Sequence, residues 1–112
     1  AEAAARDARE LGAADASHGS DAARLRRIAD VRRVHADHLT AEVLRLDPEG
    51  SATGDEPPPA TAVCPPIGEV RERLRADARR AAEQAAASEG YRAELAAAVS
   101  AACTAAVEVV LA

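Results

Sequence analysis

All six prolines of this chain fall between residues 47 and 66, and that confinement limits the folds open to it. Proline fixes φ and lacks the N–H that helix interiors and central strands require. The stretch DPEGSATGDEPPPATAVCPP is therefore a connection rather than a helix or an inner strand. On either side the sequence is free of proline and rich in alanine, the strongest helix former. A structureless run of this length is uncommon inside a compact domain. It reads as a crossover spanning a helical bundle from end to end, or as a mobile loop.

The flanking segments carry helical periodicity. AEAAARDARELG, about residues 1–12, puts Ala1, Ala4, Ala8 and Leu11 on one side. Residues 13–20 form a turn region, and Ser20-Asp21 suits the N-cap and first turn of a second helix over 21–46. In that helix Leu25, Ile28, His35, Leu39, Val43 and Leu46 share one stripe, opposite Arg26, Asp30, Arg33 and Asp37. Pro65-Pro66 introduces a third helix over about 67–88, with Ile67, Val70, Leu74, Ala78, Ala81 and Ala85 facing inward and Gly90 breaking it. The fourth, about 91–112, carries charge only at Arg92, Glu94 and Glu108.

From Leu95 to Val107 this last segment has no charge on any side, which predicts a helix surrounded by protein. A membrane span has the right length but too little hydrophobicity, since alanine dominates and Glu108 would sit in hydrocarbon. The expectation is one all-α domain over 1–112. It is a four-helix bundle of two hairpins joined by the Pro-rich crossover 47–66, with 91–112 as the buried helix.

The core must be assembled from small parts: eight Leu, nine Val, two Ile and Tyr91, with no Phe, Trp or Met. Burial contributes only about 25 cal/mol per Å², so a core this thin gains from a disulfide or from dimerisation. Net charge is −5 with both signs interspersed, which leaves no basic stripe for phosphates and excludes nucleic acid as a partner. The absence of methionine indicates that Ala1 is not a translation start, leaving room for a targeting segment upstream.

Three constellations could carry chemistry. His35, His38 and Glu42 lie on one side of the second helix, a spacing that suits Cu²⁺, Zn²⁺ or Ni²⁺. The bland reading is a surface pair, His38 with Glu42, beside a core histidine at 35. Arg32 falls inside the same apolar stripe and needs a carboxylate if buried. Glu94 or Glu108 of the fourth helix is the candidate partner, and snorkelling at the rim is the favoured alternative. Cys64 and Cys103 are the only cysteines, brought close if the third and fourth helices run antiparallel. A bridge between them would add about 3–4 kcal/mol in an oxidising compartment; two free thiols is the competing state. No nucleophile elbow, phosphate-cradling glycine loop or inward carboxylate pair marks a catalytic centre.

The stretches VRRVHADHLTAEVLRL (31–46) and GYRAELAAAVSAACTAAVEVVLA (90–112) carry a family resemblance. With the Pro-rich loop and the Gly-Tyr-Arg opening the last helix, they resemble the ferritin-like four-helix domain of uncharacterised actinobacterial secreted proteins and lipoproteins. Thirty-two alanines and fourteen arginines without a lysine fit such GC-rich coding. The resemblance implies a helical bundle exposed outside the cytoplasm, in the envelope or secreted, reaching a membrane only through a lipid anchor upstream. It does not extend to iron chemistry, because a di-iron site needs Glu-x-x-His on each of two helices and none occurs here. The function expected is therefore non-enzymatic and without a cofactor, structural or by contact with a protein partner or a second copy. The alternative is a metal or small ligand held by His35, His38 and Glu42.

Overall fold

Helix α1, Glu2–Gly12, buries Ala4, Asp7, Ala8 and Leu11 along one face. Its partner α2, Ala22–Leu46, is reached through a 3-10 segment, Ala16–Asp21. That segment is set by local chemistry: Asp15 Oδ1 accepts from the Ser17 N–H at 2.9 Å, and Gly19 takes a φ of 58° that side chains rarely tolerate. Asp21 gives α2 no side-chain cap and pairs instead with Arg24. After Pro66, held extended, α3 runs Ile67–Ala87, and α4 runs Gly90–Ala105 with one further π turn, Ala106–Val110. The computed structural model describes residues 1–49 and 61–112. The expected Pro-rich crossover therefore lies largely outside the described residues.

The architecture is all-α: four helices and no strand among the described residues. Helix α1 packs on α2 and α3 packs on α4, giving two hairpins. Leu11, Leu25, Ile28, Val70, Leu74, Val99 and Leu111 form the apolar core they share. Polar ties add to the packing. Ser100 Oγ donates to the Ala78 carbonyl at 2.8 Å between α4 and α3, and Arg26 donates to the Ala14 carbonyl at 2.9 Å. Arg73 bridges α3 to α1 through Glu10 at 2.6 Å.

Two sequence expectations change. Helix α4 is not a buried central helix. Leu95, Ala96, Val99 and Cys103 face inward, whereas Tyr91, Ala97, Ala98, Ala101, Thr104, Ala105 and Val109 are exposed. Four helices side by side leave no central position, and alanine gains too little from burial to force one. Gly90–Val110 is long and apolar enough to cross a membrane by length and composition, but one face of it is packed against α3. The inward stripe of α2 also fails beyond Leu39, with Val43 and Leu46 about half exposed. Helix α1 has 11 residues and α2 has 25. At about 1.5 Å per residue α1 covers less than half of α2.

Candidate functional site

A single guanidinium sits where the four helices converge. Arg32 of α2 is only 3% exposed. Its Nε donates to Asp7 Oδ2 of α1 at 3.0 Å, and its Nη2 to Asp77 Oδ2 of α3 at 2.8 Å. Its Nη1 faces His35 Nδ1 at 3.0 Å and Cys103 Sγ of α4 at 3.2 Å. Asp7 and Asp77 are as deeply buried as the arginine. Arg6 and Arg80 close the cluster from the rim, Arg6 at 3.2 Å from Asp7 and Arg80 paired with Asp77. Neither the snorkelling rim position nor a Glu94 or Glu108 partner applies to Arg32, since both glutamates are exposed on the outer side of their helix.

The arginine imposes the state of its neighbours. A guanidinium only donates, so His35 Nδ1 accepts and the ring proton resides on Nε2. Burial, then the Arg32 charge, then His38 push the His35 pKa down to about 4. His35 is accordingly neutral at neutral pH. Burial pushes the Cys103 thiol up, with Arg32 opposing and Asp77 and Asp7 adding to the shift. Cys103 is thus a neutral thiol accepting a charge-assisted hydrogen bond, rather than a thiolate nucleophile.

The three residues of the metal reading do not converge. His35 turns into the cluster, His38 is exposed, and both oxygens of Glu42 are occupied by Arg45, at 3.0 Å and 2.6 Å. Arg45 holds the Glu42 carboxyl below its usual range. Among the described residues no group of three or more His, Cys, Asp or Glu side chains is placed to hold a metal ion.

Cys64 and Cys103 are separate free thiols, both buried, so the expected bridge is not formed. Helix α4 does run back towards the start of α3, where Arg71 Nη2 donates to the Leu111 carbonyl. Cys103, however, lies eight residues before that end, about 12 Å along the helix axis. Cys64 precedes α3, with its Sγ 3.6 Å from the Pro65 carbonyl. That carbonyl also accepts from His18 Nε2 at 3.1 Å, which ties the segment before α3 to the turn before α2.

The acids of the cluster were missed in the sequence, yet a signal was there. Asp7 lies three residues after Ala4 and four before Leu11, inside the apolar stripe of α1. Asp77 lies three after Leu74 and four before Ala81, inside the stripe of α3. With Arg32, three helices each bring to the cluster a charged residue from within an apolar stripe, one cation against two carboxylates.

Beside the cluster a cleft of about 220 Å³ opens between α2 and the end of α4. Ile28, Val31, Leu74, Ala102, Ala105, Ala106 and Val110 line it, and Arg27, Arg32, His35 and Cys103 border it as well. Comparison with protein-family models, with curated proteins and with solved structures found no match for this chain.

Proposed function

We propose that this chain is a non-enzymatic, ferritin-like helical domain that works by protein–protein contact outside the cytoplasm. The observation that carries the reading is the outer face of α4. Ala97, Ala98, Ala101, Thr104, Ala105 and Val109 are exposed there, with Glu94 and Glu108 the two charges on the same side, and Val109 is 73% exposed. Val31, Val43 and Leu46 of α2 add further exposed apolar side chains. Exposed apolar side chains of this kind supply an interaction face, and small side chains let a second helix approach closely. A membrane-spanning use of α4 would strip it from α3, against which Leu95, Val99 and Cys103 are packed.

The interior supports the non-enzymatic reading. Arg32, Asp7, Asp77, His35 and Cys103 are turned on one another, so their donors and acceptors go to cohesion rather than to a substrate. The ferritin-like label rests on the two hairpins and on the resemblance of 31–46 and 90–112, and the location outside the cytoplasm rests on that resemblance.

A second copy is the partner to test first. Light scattering across a concentration series should show reversible self-association, abolished by Ala98→Glu/Ala101→Glu with helix content unchanged. A wild-type chain that stays monomeric throughout, and whose pull-down from envelope extract the double substitution does not alter, refutes the reading.

A further inference from the structure

Unpaired charges frame the apolar surface that α2 and α4 present side by side. On α2 the exposed residues Arg27, Val31, Val34 and His38 recur at helical spacing along one line. On α4 and its final π turn, Glu94, Ala98, Ala101, Ala105 and Glu108 do the same, all of them exposed. Val31 and Val34 are 41% and 51% exposed. Arg24, Arg33 and Arg45 have carboxylates within the chain, whereas among the described residues Arg27, Glu94 and Glu108 form no ion pair.

The two lines run in opposite directions and are level with each other. Arg27 and Val31 border the same cleft as Ala105 and Val110, so the start of α2 stands beside the end of α4. Helix α4 of a second copy is a poor match for α4. Parallel packing would set Glu94 on Glu94, and antiparallel packing would set Glu94 on Glu108; both bring like charges together. Helix α2 supplies what α4 lacks, valine bulk against alanine and a cation against the glutamate.

A two-fold axis parallel to the helices exchanges left for right and keeps every residue at its height. It lays α2 of each copy antiparallel on α4 of the other. At equal rise per residue, Arg27 then meets Glu108, and Val31 and Val34 meet Ala105 and Ala101. Glu94 falls opposite Ala41, between His38 and Arg45.

We propose that two copies of this chain pair through the α2/α4 face about such a two-fold, with Arg27 of each copy on Glu108 of the other. This rests on the contact reading above and adds to it the helix pairing and the ionic contact that sets its register. The cleft beside Val31 and Ala105 is covered by the pairing.

Charge reversal tests it. Arg27→Glu and Glu108→Arg alter exposed side chains without an ion partner in the chain, so far-UV circular dichroism should be unchanged. In analytical ultracentrifugation at low salt, each variant alone should self-associate about tenfold more weakly than the wild type, because two attractive contacts per dimer become repulsive. An equimolar mixture of the two variants should regain the wild-type affinity, since both contacts of the mixed dimer again join opposite charges. An effect confined to one chain is not restored by mixing. Variants that associate as the wild type does, or a mixture no tighter than its components, overturn the pairing of α2 on α4 while self-association itself stands. A wild-type chain that stays monomeric overturns the pairing as well, and the pull-down then decides separately whether the face serves another protein.

Discussion

Replacing Arg32 with methionine tests the cluster where it is most demanding. The substitution keeps much of the apolar stem and removes the charge, leaving Asp7 and Asp77, at 1% and 5% exposure, without the cation between them. Breaking a buried ion pair from one side costs about 3–5 kcal/mol, against roughly 5–15 kcal/mol for a whole domain. For a chain of 112 residues that is a fall in Tm of about 12–20 °C. Arg6 and Arg80 remain, but at the rim their side chains are 37% and 63% exposed, and surface pairs of that kind return about 1 kcal/mol or less. Urea unfolding followed by far-UV circular dichroism measures the loss directly. The companion variant, Asp7→Leu/Arg32→Met/Asp77→Leu, removes both carboxylates with the cation and should recover most of that stability. A single-variant cost below about 1 kcal/mol, or a triple variant no more stable than Arg32→Met, refutes the assignment of Arg32 as the buried tie.

Two further outcomes follow from the same interior. The folded pKa of His35, about 4, lies below the ordinary value near 6.5. Its contribution is therefore complete above pH ~6.5 and is lost as the pH falls towards ~4, by at most about 3 kcal/mol. The difference in unfolding free energy between the wild type and His35→Gln should shrink across that window; a constant difference, or a ring that titrates near its ordinary value by NMR, contradicts it. Burial raises both thiols. Chain purified without reductant should consequently resist a thiol reagent when native and show two reactive thiols in denaturant. Finding none in denaturant would restore the Cys64–Cys103 bridge.

The local levels of this structure were written plainly in the sequence, and the tertiary ones less so. Proline confinement separated the two hairpins, and the Ala/Leu and Leu/Ile stripes located α1, α2 and α3, because both signals act within a turn or two of helix. The environment of α4 was not legible: an uncharged alanine-rich segment is compatible with a protein interior and with solvent alike, since a methyl group gains little from either. Arg32 could be flagged as an odd charge in a stripe, but its partners depend on which helices meet and at what register. Glu94 and Glu108 were attractive only for lack of other charges on the fourth helix, whereas Asp7 and Asp77 satisfied the stronger condition of lying in stripes themselves. For His35, His38 and Glu42 the shared helix side was real, yet Arg45, one turn beyond Glu42, had the prior claim on its carboxylate.

Alanine-lined helices face a problem of alignment. Along α1 and α3, successive inward methyl groups such as Ala4 and Ala8, or Ala78 and Ala81, are nearly alike. One helix could slide past another by a turn and exchange one methyl contact for the next at small loss. The same slide, about 5.4 Å, would carry Asp7 or Asp77 out of reach of the guanidinium and strand a buried charge. Arg32 thus acts as a key for register: it selects one alignment of the hairpins from several that the alanines alone would leave nearly degenerate.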